Sequence, residues 1–213
     1  MSDFTKRRLP HIYRKGATFF ITFRLKDSLS QVNLNELREE YSNKANKIFH
    51  SDPNILEYLL EELKENIFTK FQHQLDCKPY GECILKDPKC AEILYEKILQ
   101  YNAKYYDLKC FCIMPNHVHI LLRTLEPSGD NDDKNYVNID KIMMLIKGGS
   151  SYLINKKIGK TGPLWTQESY DKIIKDETEY GNVFYYILNN PVKANLDKRY
   201  QYAPYMYKYT DFE

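Results

Sequence analysis

His117 and His119 flank a single valine in the run HVHILLRT at residues 117–124. The run reads as a β-strand. Side chains alternate across a strand, so both imidazoles leave one face and Val118 leaves the other. Two imidazole nitrogens side by side are a ligand pair for one divalent ion. Later, FYYILNNPVKANL places Tyr186 and Asn190 four residues apart on a predicted helix, hence on one face. The Asn190 carbonyl oxygen suits Mg²⁺ or Mn²⁺ as a third ligand. Tyr186 would then lie beside the ion. A phenol, with an ordinary pKa near ~10, needs help to attack, and a metal that polarises a phosphate makes that attack feasible. Neither motif is sufficient alone, because two ligands are not a site and a tyrosine on an apolar helix is ordinarily a packing residue. The other histidines, His11, His50 and His73, show no such pairing and read as surface residues.

The elements that must position these groups follow from periodicity. ATFFITFRL, residues 17–25, reads as a strand after a turn at Lys15-Gly16. Asn33 or Asn35 is the expected cap of a helix reaching about residue 50. Pro53 suits the first turn of the next helix, where Ile55, Leu59, Leu63, Ile67 and Phe71 form one stripe. These two helices make a hairpin inserted at 30–76. KPYGECILKDP reads as a turn, a short extended piece and a second turn. A helix is expected over about 88–102 and a strand over 105–113. Met114-Pro115-Asn116 is a tight connection into the strand 117–124. The polar segment EPSGDNDDKN reads as a loop. A helix follows over 138–157, weakened at Gly148-Gly149. Next come a short strand near 170–175 and a helix over 177–189 that Pro191 ends. The tail, 197–213, is tyrosine-rich without clear periodicity. Mixed helices and strands around a hairpin predict an α+β domain, with helices on one face of an antiparallel sheet.

Composition bounds the function. A chain of 213 residues suits a single domain. No apolar stretch is long enough to span a membrane, and the basic N-terminus lacks the apolar core of a secretion signal, so a cytoplasmic protein is expected. The five cysteines, Cys77, Cys83, Cys90, Cys110 and Cys112, form no CxxC pair; Cys110 and Cys112 read as small core residues on one strand face. Residues 28–76 carry a net charge of −4 and the remainder +6. A basic body with an acidic insert is compatible with a nucleic-acid partner. The insert is expected to face away from it, as a cover or protein-contact surface. Arg14, Lys15, Arg24, Lys147, Lys172, Lys175 and Lys193 lie around the candidate chemical groups and would neutralise phosphates. Some of the 19 tyrosines could stack on bases.

MPNHVHILL and YILNNPVKANL, in that order, resemble the HUH motif and tyrosine helix of single-tyrosine transposases, especially the REP-associated tyrosine transposases. ATFFITFRL, YGECILKDP and PLWTQESYDKIIKDE are similar to the same group, so the resemblance spans residues 10 to about 197. Ser169 stands where an aromatic residue is more usual, Asn195 stands where glycine is common, and Leu188 is a further minor departure. The resemblance implies a ferredoxin-like catalytic fold and a divalent metal held by His117 and His119, with Asn190 completing the site. It also implies Tyr186 as the nucleophile of a 5′-phosphotyrosine intermediate with a free 3′-OH. Tyr185 is out of register by roughly 100° of helix rotation. The partner implied is single-stranded or hairpin DNA, nicked and transferred by a monomer or homodimer. Two alternatives remain at this point: a DNA-binding regulator without chemistry, and a metal-dependent phosphoesterase that would not need Tyr186.

Overall fold

The computed structural model describes residues 16–77, 79–125 and 137–209. The strands are β1 (Thr18–Arg24), β2 (Tyr106–Ile113), β3 (His117–Thr124), β4 (Tyr170–Ile173) and β5 (Met206–Lys208). The helices are α1 (Gln31–Ile48), α2 (Pro53–Cys77), α3 (Pro88–Leu99), α4 (Ile139–Ile158) and α5 (Glu177–Lys193). All strand pairs are antiparallel, in the order β4-β1-β3-β2-β5. With α1 and α2 set aside, the run β1-α3-β2-β3-α4-β4 is the ferredoxin-like pattern. The expected α+β class is therefore present, and α1 and α2 lie between β1 and α3. No described helix is long and apolar enough to cross a membrane.

Alternation along the strands builds two apolar layers. Phe19, Ile21, Phe23, Val118, Ile120 and Leu122 face α3 and α4, where Leu94, Ile98, Ile142 and Ile146 close the main core. Phe20, Leu121, Cys110 and Cys112 face the other way, against Ile187 of α5. The sheet thus carries helices on both faces, not one: α5 and the end of α2 cover the second. The register shift between Leu108 and Cys110 is what turns Cys110 and Cys112 onto that second face. A bulge inserts one residue and so exchanges the two sides. Cys83, Cys90, Cys110 and Cys112 are buried free thiols.

Several boundaries differ from the sequence expectation for local reasons. Ser30 caps α1, its Oγ accepting from the Asn33 backbone N–H at 3.1 Å, so both asparagines lie inside the helix. Residues Ile84–Lys86 form a 3-10 turn instead of an extended piece. Gly148 and Gly149 do not break α4, because Ile142, Ile146 and Ile154 bury its inner face. Pro191 lies inside α5, which continues to Lys193. Proline lacks its own N–H and crowds the carbonyl four residues back, but the next turn still closes through the Ala194 N–H to the Asn190 carbonyl at 2.9 Å. The tail adds β5 to the β2 edge, with Tyr207 stacked on Phe111. Arg14, Lys15 and His11 lie outside the described residues, as does the polar segment from residue 126 to 135.

Candidate active site

His119 occupies the middle of the sheet, in a row that crosses all five strands through Tyr170, Thr22, His119, Cys112 and Met206. His117 lies one position earlier on the same face, and both imidazoles are fully buried. Each ring is held from behind. Asn116, itself fully buried, donates through Nδ2 to the Ser28 carbonyl at 3.2 Å and the Tyr80 carbonyl at 3.0 Å. That leaves its Oδ1 pointing at His117 Nδ1, 2.8 Å away. Nδ1 therefore carries the proton, and the Nε2 lone pair faces the site. Thr22 Oγ1 lies 2.8 Å from His119 Nδ1 and directs that Nε2 the same way. Gln72 of α2 donates in turn to Thr22 Oγ1 at 3.4 Å.

The loop behind His117 depends on one glycine. Gly81 has φ +81°, and a Cβ there would meet Asp27 Oδ2 at 2.4 Å. Only glycine permits that approach. It allows Asp27 to accept the Glu82 N–H and fixes the loop that carries the Tyr80 carbonyl to Asn116.

The two Nε2 atoms are 3.1 Å apart and converge on a residue that sequence reasoning missed, Asp76 at the end of α2. Its Oδ1 is 2.9 Å from His117 Nε2 and 3.3 Å from His119 Nε2. Its Oδ2 accepts the Tyr186 Oη–H at 2.8 Å and the Asn190 Nδ2–H at 3.0 Å. Tyr186 and Asn190 do share a face of α5, and all five side chains belong to one chain. Tyr185, as its register requires, points to solvent and is 67% exposed. Phe20 walls the site, stacked on His119 and edge-on to Tyr186.

Asp76, His117 and His119 form a group able to hold a metal ion. Their donor atoms stand 2.9, 3.1 and 3.3 Å apart. An octahedral ion with bonds of about 2.1 Å has adjacent ligands about 3.0 Å apart, so the residues fit such an ion. Burial lowers His117 to about 4, against the opposing pull of Asp76. The ring is therefore neutral near pH 7 and its lone pair is available. Burial opposes the charge on Asp76, but the neighbouring His117 and His119 favour the ionised form and hold the carboxyl well below the usual range. Burial, together with the Asp76 charge and hydrogen bond, pushes Tyr186 well above an ordinary phenol. Tyr186 is thus held as the neutral hydroxyl. Asn190 Oδ1 is buried and has no hydrogen-bond partner.

The expectation that the insertion faces away as a cover needs correction, since the last turn of α2 reaches the centre of the site. One sequence signal existed. A carboxylate in the last turn of a helix opposes the helix dipole, and α2 has no basic residue there to balance it.

The candidate DNA-binding residues divide. Lys193 lies over the Tyr186 ring, 5.8 Å from its centroid, and Lys175 is exposed at the start of α5. Lys172 instead makes 2.8 Å ion pairs with both Glu65 and Glu179. Lys147 donates to the Gln167 carbonyl and Ser169 Oγ. Arg24 donates to Ser28 and covers Phe71, its guanidinium lowered to about 10 by burial.

A protein of Haemophilus influenzae whose name places it among the REP-associated tyrosine transposases is 24% identical over 127 residues, 54% of this chain and 70% of that one. A solved structure, that of a REP-associated tyrosine transposase bound to a REP hairpin, aligns with 97% of this chain and 82% of its own at a TM-score of 0.48 and 19% identity. Residues 73–190, a span that holds Asp76, the histidine pair, Tyr186 and Asn190, match the family described as "Transposase IS200 like", and the chain belongs to that family.

Proposed function

We propose that this protein nicks single-stranded DNA, in hairpin or repeat form, and transfers the strand through Tyr186. The observation that carries the reading is the meeting of Tyr186 Oη, both histidine Nε2 atoms and one carboxylate within a single chain. A metal-dependent phosphoesterase would need no tyrosine there.

Tyr186 Oη attacks the scissile phosphorus. A new O–P bond forms to the 5′ side, and the bond to the 3′ oxygen breaks. The 3′ oxygen leaves as the 3′-OH. Strand transfer is the reverse step, with a 3′-OH attacking the phosphotyrosine. The Tyr186 proton lies on a hydrogen bond to Asp76 Oδ2. Because burial holds the phenol neutral, proton loss accompanies attack instead of preceding it. His117 and His119 would hold a divalent Mg²⁺ or Mn²⁺, with Asn190 Oδ1 as an additional oxygen donor. When bound, that ion would polarise the phosphate and stabilise the charge that develops on it. Phe20 packs edge-on against the ring of the nucleophile. Lys193, over the Tyr186 ring, and the exposed Lys175 are proposed to meet the DNA backbone, as are Arg14 and Lys15 of the N-terminal segment. Lys172, Lys147 and Arg24 would first have to exchange their protein partners.

The test uses the full chain, Mn²⁺ and an end-labelled single-stranded hairpin oligonucleotide, with a denaturing gel for the covalent protein–DNA adduct. Tyr186→Phe removes one oxygen and keeps the ring. It should abolish the adduct while DNA binding persists. An adduct formed by Tyr186→Phe at the wild-type level sinks the nucleophile assignment.

A further inference from the structure

We infer that Asp76, carried by the inserted helix α2, is a working member of the active site: one carboxylate oxygen faces the metal and the other sets the position of the attacking tyrosine. This rests on the reading above and assigns the insertion a part in the chemistry.

The geometry divides the carboxylate cleanly. Oδ1 lies 2.9 and 3.3 Å from the two Nε2 atoms, on the side where an ion would be held. Oδ2 receives Tyr186 Oη–H and Asn190 Nδ2–H at 2.8 and 3.0 Å. One rigid group thus spans the ligand set and the nucleophile, so the distance between them is set by the width of a carboxylate. Effective attack requires reacting atoms held at about 3–3.5 Å in the right direction, which a flexible tyrosine alone does not ensure.

Lone pairs argue for a cation in the same place. Asn116 fixes the proton of His117 on Nδ1. The His117 Nε2 lone pair therefore faces a carboxylate oxygen at hydrogen-bond distance with no proton from its own ring between them. A cation removes that repulsion. Charge points the same way. The one carboxylate of the ligand set reduces a divalent ion to a net +1, which one phosphodiester neutralises.

The helix that supplies Asp76 is also anchored to the sheet. Phe68 stacks on Tyr170, Phe71 lies beneath Arg24, and Gln72 reaches Thr22 behind His119. These residues and Asp76 occupy the last turns of α2, with Phe68, Gln72 and Asp76 at spacings of four on one face. Leu75 beside them is fully buried. The carboxylate is held by packing, not left on a mobile side chain.

The experiment measures Mn²⁺ affinity directly, by calorimetry or by the free-ion electron paramagnetic resonance signal, for wild type, Asp76→Asn and Asp76→Ala without DNA. Asp76→Asn preserves shape and removes charge, so it keeps the test open if the alanine variant fails to fold. Removing groups that merely orient metal ligands costs roughly 10–100-fold in affinity; loss of a ligand charge should cost at least tenfold. The Mn²⁺ concentration for half-maximal adduct should rise in parallel. At saturating Mn²⁺ the adduct rate of Asp76→Ala should stay below wild type, because Tyr186 loses its anchor. Mn²⁺ affinities within twofold of wild type in both variants overturn the inference. If Tyr186→Phe then still abolishes the adduct, the strand-transfer reading stands without Asp76. If Tyr186→Phe forms the adduct normally, that reading fails by itself, and the Mn²⁺ affinities still judge Asp76.

Discussion

Replacing Thr22 by valine isolates the support behind His119. Thr22 is 2% exposed and lies opposite His119 in the β1–β3 register. Its Oγ1 makes two contacts, to His119 Nδ1 at 2.8 Å and to Gln72 Nε2 at 3.4 Å. Valine is close in volume and suits a strand, so packing changes little. The loss is confined to hydrogen bonding. His119 Nδ1 is left buried without a partner, which costs about 1–3 kcal/mol. Gln72 loses an acceptor at the edge of the site, a smaller term because that bond is long. The imidazole is then free to exchange tautomers or tilt, and hydrogen bonds behind a ligating histidine are typically worth roughly 10–100-fold in metal affinity. We expect Thr22→Val to lower Mn²⁺ affinity by about tenfold or more, equivalent to at least about 1.4 kcal/mol. Stability should fall by about 1–3 kcal/mol in urea unfolding without metal. Thr22→Ser, which retains the hydroxyl, should recover the affinity even where stability is not restored. If Thr22→Val binds Mn²⁺ as wild type does, His119 is not positioned through Nδ1. If Thr22→Ser is as defective as Thr22→Val, the effect is one of packing and the hydrogen-bond argument fails.

Two further outcomes follow from the site. Asn116→Ala removes three buried hydrogen-bond partners at once, to Ser28, Tyr80 and His117; we expect a loss of roughly 2–4 kcal/mol in denaturant unfolding, and a loss under about 0.5 kcal/mol would show that the loop is not held there. His117 is held at about 4 in the folded chain against 6.5 ordinarily, so between these values the unfolded chain takes up a proton that the folded chain does not. Stability of the metal-free protein should therefore be full above pH 6.5 and fall as pH drops toward 4, by up to about 3 kcal/mol; urea unfolding that is unchanged between pH 7 and 4.5 would contradict the buried neutral ring.

The histidine pair and the tyrosine helix were legible because each is a local pattern. The spacing of His117 and His119 needs only strand alternation to bring them together, and the spacing of Tyr186 and Asn190 needs only the helix period. The same holds for β3, whose predicted bounds of 117–124 coincide with the observed His117–Thr124. What failed were features set by partners distant in the chain. Whether helices cover one sheet face or two depends on where α5 and α2 dock after the sheet is complete, and nothing in the period of either helix states that. β5 is three residues long and is a strand because β2 offers an open edge; its own residues carry no alternation to read. The basic residues show the same limit. Lys172 is a surface cation by sequence, but Glu65 of α2 and Glu179 of α5 both close on it.

Asp76 is the most instructive miss, because charge bookkeeping pointed away from it. The acidic excess of residues 28–76 suggested a surface repelled by DNA. A single carboxylate at the end of the second helix follows different physics. It is only 14% exposed, sits beside two buried imidazoles, and interacts over about 3 Å, where burial weakens screening. Over that distance one group decides the local field, and the sum over forty-odd others does not. The useful signal was positional: a carboxylate in the last turn of a helix, with no basic residue beside it, opposes the helix dipole unless something else compensates. Here the compensation comes from His117, His119 and Tyr186, which is why the residue is better explained by chemistry than by the fold of the helix that carries it.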